Sequence, residues 1–214
     1  MAAHPPLARR VSPLRHLSDG GFVRRRLPAS ESRVELTFDD GPSPNFTPLV
    51  LDRLAKFGIS ATFFVVGRFV LQHRSTLRQI HAAGHRIGNH SLTHPRFGFL
   101  SYRAVRDEIR FCQHAVEDCI GVTPTEFRPP LGRVTPGVIL AARSAGVQLV
   151  NWSVDTNDWR CRDEADAARC AEETAALARP RDVILLHDNH RRIAKVLDEL
   201  LPRLAARGLL SSDR

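Results

Sequence analysis

From Val34 onward the chain alternates short apolar runs with longer stretches whose apolar positions recur every three or four residues. The run from Val34 to Phe38 reads as a buried strand, ended abruptly by Gly41-Pro42. A helix is expected over about 47–57, with Leu49, Val50, Leu54 and Phe57 on one face. The spacing then predicts a strand over 61–66, a helix over 70–83 closed by Gly84, and a short strand over 86–88. Ser101 caps a helix over 102–120 that stops at Gly121, and Phe127-Arg128 is a short strand. Beyond it come a helix at 136–145, a strand at 147–152, a helix at 163–178, a strand at 183–187 and a helix at 190–207. Strands alternating with helices pair in parallel, so the expected class is α/β, with one domain over 33–214.

The polar chemistry is not spread evenly over this pattern. Asp39-Asp40, His90 and His94, Arg128, Asp155 and Asp158, and His187 each follow a strand. In a barrel of parallel strands those ends share one rim, so scattered positions become one site. Asp39 and Asp40 would face opposite sides of a continuing strand, but a turn at its end lets both enter one cleft. Two packed carboxylates repel unless a cation or an arginine compensates. His90 and His94 are four apart, within reach of one helical turn, although Pro95 makes that turn short or irregular. Two histidines and one carboxylate suit a catalytic Zn²⁺ with open positions, and the same donors accept Co²⁺ or Ni²⁺. The second carboxylate could take a proton from the metal-activated water, and His187 could protonate a leaving amine. This is metal-assisted hydrolysis of an amide or ester.

Composition changes the picture little. Of the 31 basic residues all but Lys56 and Lys195 are Arg, and the net charge is +8. Much of that excess sits in Arg9, Arg10, Arg15, Arg24, Arg25, Arg26 and Arg33. Residues 1–32, rich in Arg, Pro, Ser and Gly, read as a basic, loosely ordered segment, with a short packed stretch around Leu14–Phe22. Aromatic content of 7% and the lack of a recognition motif argue against a nucleic-acid partner. Cys112 and Cys119 lie on one helix face as core residues, while Cys161 and Cys170 could bridge in an oxidising compartment. Neither a secretory signal nor a membrane-spanning run is visible, so the expectation is a cytoplasmic monomer, export by an atypical N-terminus being the alternative.

Five blocks in order resemble the NodB-homology polysaccharide deacetylases, carbohydrate esterase family 4. They are Thr37-Phe38-Asp39-Asp40-Gly41-Pro42, His90-Ser91-Leu92-Thr93-His94, Arg128-Pro129-Pro130-Leu131-Gly132, Asp155-Thr156-Asn157-Asp158-Trp159 and Leu185-Leu186-His187. The resemblance runs from about Val34 to about Arg207 and implies a distorted (β/α) barrel that removes N-acetyl or O-acetyl groups from an amino-sugar polymer or oligosaccharide. It implies Asp39 as general base, His187 as general acid, and Asp40, His90 and His94 as metal ligands. Arg128 would hold the base, Asp158 would tune the acid, Trp159 would wall the groove and Leu185 would line the acetyl pocket. Leu131 stands where the family usually carries an aromatic, and its backbone N–H can still serve an oxyanion. The chain beyond Gly208 is too short for a strong closing strand, so the barrel is expected to be open at its C-terminal edge. Many relatives carry an export signal that is not found here. Two alternatives remain: a deformylase or amidase of a formamido sugar or small cyclic amide on the same fold, and a non-catalytic carbohydrate-binding relative.

Overall fold

The computed structural model describes residues 5–11 and 22–210; the expected packed stretch from Leu14 falls, up to residue 21, outside them. Two short strands come from the N-terminal segment, β1 (Arg9–Arg10) and β2 (Val23–Arg24). There follow β3 (Glu35–Asp39), α1 (Thr47–Phe57), β4 (Thr62–Val65), α2 (Gly67–Gln72), α3 (Arg74–Ala82), β5 (Arg86–Asn89) and α4 (Tyr102–Ile120). The remainder is β6 (Glu126–Phe127), α5 (Pro136–Ser144), β7 (Gln148–Val150), β8 (Val154–Asp155), α6 (Glu164–Leu177), β9 (Val183–His187) and α7 (Ile193–Ala206). Side-chain caps from Ser101, Thr135 and Asp163 start α4, α5 and α6, and Gly121, with φ 71°, ends α4.

The strands form one curled sheet in the order β1-β8-β9-β3-β4-β5-β6-β7-β2, parallel throughout except for β1 against β8. All five residues of β3 are buried, because β9 and β4 flank it and helices cover the sheet. One core joins β3, β4, β9 and helices α1, α6 and α7; a smaller one lies under α4 and α5. The ladder does not close on itself, and both of its edges belong to the N-terminal segment. Across the gap a single bridge joins Arg26 to Asp182, and Leu27 N–H donates to Arg181 O at 2.8 Å. The C-terminal stretch tucks in instead: Val34 N–H donates to Leu209 O, and Leu209 is buried.

The described parts of residues 1–32 are therefore not loose. Arg10 and Arg26 both pair with the fully buried Asp182, at 2.7 and 3.0 Å, and the Glu173 carboxylate accepts from Leu7 and Ala8 N–H. Burial alone would raise the Asp182 carboxyl, but the Arg10 and Ser153 hydrogen bonds hold it below its usual range. Arginines that read as a solvated run are thus ion-pair partners for carboxylates some 150 residues away.

Two helices replace the one expected over 70–83. His73, with φ −128° and ψ 48°, breaks the helix, and the second half docks on α4 through Arg74 Nη2, which donates to Asp118 O. The expected strand over 147–152 shortens to β7, and a further strand not expected, β8, follows it where the chain leaves β6 and crosses to pair with β9. All four cysteines are buried and free, so Cys161 and Cys170 serve the core as thiols. Among the described residues no helix is long and apolar enough to cross a membrane.

Candidate active site

Parallel pairing brings the expected rim together. Asp39 ends β3 in register with His187, which ends β9, while Asn89 at the end of β5 is in register with Val65 and Phe127. Beyond Asp39 the backbone turns at Asp40, whose φ is 73°. That left-handed residue allows consecutive carboxylates to converge, and both come within 4 Å of His90 Nε2, at 3.7 Å for Asp39 and 3.5 Å for Asp40. Gly41 makes room for the turn: a Cβ there would lie 2.3 Å from both carboxylate oxygens of Asp188.

The two histidines do not share a helical turn. They lie in a loop with Ser91 and His94 both at positive φ, pinned by Asn89 Oδ1, which accepts from Ser91 N–H, and Ser91 Oγ, which accepts from His94 N–H. Their rings still meet, with centroids 5.0 Å apart. His90 Nδ1–H donates to Arg128 O at 2.8 Å, which directs Nε2 toward Asp40. His94 Nε2 approaches the same Asp40 Oδ1 at 3.2 Å. Donors about 2.05 Å from a tetrahedral cation stand about 3.3 Å from one another. The observed 3.2 and 3.5 Å separations fit that spacing, and the donor atoms of Asp40, His90 and His94 all lie within 4.8 Å of one another. Burial alone would raise the Asp40 carboxyl, but hydrogen bonds from His90 and His94 hold it well below the usual range, ionised as a ligand must be.

Asp39 is held separately. Arg128 Nη1 donates to Asp39 Oδ1 at 2.7 Å and to Thr37 Oγ1 at 2.8 Å. The guanidinium is fully buried, with its Cζ 4.0 Å from the Phe64 ring centroid and 5.6 Å from that of Trp152. Opposite stands His187, whose Nδ1–H donates to Asp158 Oδ1 at 2.7 Å and whose backbone N–H donates to Asp158 Oδ2 at 2.8 Å. Burial alone would lower the His187 imidazole, but the charge and hydrogen bond of Asp158, with Asp39 and Asp40 beyond, push it up to about 9. The fully buried Asp158 is held well below the carboxylate range by His187 and His190 despite its burial.

These groups floor a groove of about 480 Å³ whose walls include Leu131, Trp152, Trp159 and Leu185. Trp159 is 59% exposed, so its ring is a wall and not part of the core; Leu185 is buried beneath the groove. Every residue singled out from the sequence thus lines this groove or supports one that does. Sequence reasoning missed His190, whose Nε2–H donates to Asp158 Oδ2 at 2.9 Å; its spacing of three from His187 was the available signal. It also missed Trp152, which packs so closely on Gly132 that a Cβ there would stand 2.6 Å from the ring, and Arg9, which reaches the groove from β1. A hollow of about 420 Å³ at the start of the strands holds Arg24, Glu35, Arg86 and Glu126, whose charges are matched in ion pairs.

A sequence profile of the family described as polysaccharide deacetylase matches residues 26–150. The chain belongs to the polysaccharide deacetylase family. It is 38% identical over 179 residues to the peptidoglycan-N-acetylglucosamine deacetylase PgdA of Listeria monocytogenes, covering 84% of this chain but only 37% of that protein. To the chitooligosaccharide deacetylase of a Bradyrhizobium species it is 35% identical over 190 residues, covering 82% of this chain and 85% of the other. The solved structure of the peptidoglycan deacetylase PdaC from Bacillus subtilis superposes with a TM-score of 0.75 at 32% identity, over 85% of this chain and 87% of that one. In this member of the family the sheet is curled and open, as expected for the distorted barrel, and its free edges are built by the N-terminal segment.

Proposed function

We propose that this deacetylase hydrolyses the N-acetyl amide of an amino-sugar chain, with Asp39 as general base and His187 as general acid. One observation carries the reading: Asp39 and His187 end adjacent strands in register, each held by its own buried partner, and line the same groove as the Asp40–His90–His94 cluster. The Listeria and Bradyrhizobium relatives, by their names, act on N-acetylated sugars, which supports the substrate class.

Asp40, His90 and His94 would hold the metal, for which we propose Zn²⁺, with Co²⁺ or Ni²⁺ suited to the same donors. Bound there, the cation supplies Lewis acidity to the acetyl carbonyl and to a water. Asp39, oriented by Arg128, takes the proton of the attacking water. His187, carrying its proton at neutral pH, gives it to the departing amine as the C–N bond breaks, so the N-acetyl amide and one water become acetate and a free amino sugar. Leu131, Leu185 and Trp159 line the groove, where the Leu131 N–H would serve the oxyanion, Leu185 would floor the pocket for the methyl group and Trp159 would pack on the sugar.

The test is acetate release by zinc-loaded protein from N-acetyl-chitooligosaccharides and peptidoglycan fragments, with a chelator-treated control. Chelator-sensitive acetate is expected. Asp39→Asn should abolish it with metal still bound, whereas His90→Ala should lose both. Formate from a formamido sugar in place of acetate overturns the acyl assignment. Undiminished turnover by Asp39→Asn overturns the roles.

A further inference from the structure

Leu131 lines the catalytic groove and also a second hollow of about 230 Å³, walled by Arg96, Phe99, Pro130 and Arg133. Phe99 is 86% exposed and Leu131 69%, more than any other large apolar side chain among the described residues. Both are held outward by their backbones. Phe97, buried beside Phe127 with ring centroids 5.8 Å apart, anchors the single turn that carries Phe99. Leu131 has φ 59°, and the next residue is the glycine wedged against Trp152. Apolar groups presented this way beside a catalytic groove mark a binding surface.

The charge at this end of the groove is uncompensated. Arg96 and Arg133 are exposed, and neither forms an ion pair or a side-chain hydrogen bond among the described residues. Arg133 lies along the turn, with Nε 3.4 Å from where a Cβ on Gly98 would stand. The opposite end differs: Arg9 Nη2 is 3.0 Å from Asp155 Oδ2, and Arg160 faces the Trp159 ring at 5.8 Å.

We propose that this hollow is a subsite for a carboxylate-bearing sugar, next in the chain to the sugar that loses its acetyl group. The apolar face of its ring rests on Phe99 and Leu131, and its carboxylate meets the guanidinium groups of Arg96 and Arg133, whose planar donors match a carboxylate. A neutral homopolymer leaves both arginines unused. This selectivity rests on the deacetylase reading above, and the experiment separates the two.

Acetate release is measured with zinc-loaded protein on peptide-free peptidoglycan tetrasaccharides, whose lactyl groups end in free carboxylates, and on the same glycan with those carboxyls reduced to alcohols. The native protein should prefer the carboxylate form in KM. In the double variant Arg96→Gln/Arg133→Gln the kcat/KM ratio of the two substrates should fall about three- to tenfold, the range expected for two exposed charge contacts. Arg133→Glu should lower it further, and Arg110→Gln, an exposed arginine of α4 that lines neither hollow, provides the control for net charge. Acetate from both glycans at a ratio the variants leave unchanged, or one Arg110→Gln moves equally, overturns the subsite alone. No acetate from either glycan overturns the deacetylase reading and the subsite with it.

Discussion

Arg128 holds Asp39 with its side chain, Nη1 to Oδ1 at 2.7 Å, while its own carbonyl oxygen accepts from His90. One residue therefore sets the position of the proposed base and the orientation of a proposed metal ligand, through chemically separate groups. Because the pair is fully buried, removing one partner leaves an uncompensated charge, whereas the His90 contact is to backbone and survives any substitution.

Arg128→Ala should accordingly lower stability by about 3–5 kcal/mol in denaturant unfolding. Arg128→Lys keeps a charge but loses the planar guanidinium that lies against Phe64 and Trp152 and that donates from Nε and Nη2 to Val150 O and Asn151 O. It should lose most of kcat while still binding one metal per chain by atomic absorption. Loss of metal in the lysine variant would mean that the guanidinium, and not the carbonyl, organises His90.

Asp158 and His187 predict a pH dependence of known sign. The His187 imidazole is raised in the folded protein from its ordinary 6.5 to about 9. Its pairing therefore contributes stability that is fully present below about 6.5 and is lost as pH rises through about 9. Histidine NMR titration of the metal-free protein should find one imidazole still charged above pH 8. In Asp158→Asn burial is opposed only by the more distant charges of Asp39 and Asp40, and the same resonance should titrate well below its wild-type value. His190→Ala removes one donor to Asp158 and should shift the His187 titration less. A wild-type His187 titrating near 6.5 would count against the whole arrangement.

Gly41 and Asp188 are coupled by contact. A methyl at 41 must displace the Asp188 carboxyl or move the turn that carries Asp40, because the two would overlap at 2.3 Å. Gly41→Ala should cost about 1–3 kcal/mol, the range for forced overpacking, and weaken metal uptake. Asp188 is itself pushed up to about 7 by burial, so it is a partly neutral carboxyl that can be truncated. With Asp188→Ala added, the two losses should be less than additive in a double-mutant cycle. Full additivity would show that the alanine disturbs the turn for another reason.

Much of the site was legible along the chain, for a local reason. Strand periodicity, Gly41-Pro42 and the loop after Asn89 are short-range signals, so the positions of Asp39, Asp40, His90 and His94 relative to their strands could be read from neighbours in sequence. Helices α1, α4 and α6 fall within a residue of expectation because their caps and apolar faces are likewise local. The resemblance of five ordered blocks added the pairing of roles, including Arg128 with Asp39.

What sequence alone determined is a set of polar candidate residues, Asp39, Asp40, His90, His94, Arg128, Asp158 and His187, each following a strand. What only the tertiary structure decided is how distant groups neutralise one another. The arginines of residues 9–26 looked solvated because Asp182, Asp155 and Glu126 lie more than a hundred residues away, and no local pattern links them. His190 looked ordinary until the fold placed Asp158 beside it, and Arg96 and Arg133 stand out only because the packed chain leaves them without a counter-charge. Hydrophobic periodicity is written along the chain, whereas electrostatic pairing is a property of three-dimensional neighbours and appears only when the strands align.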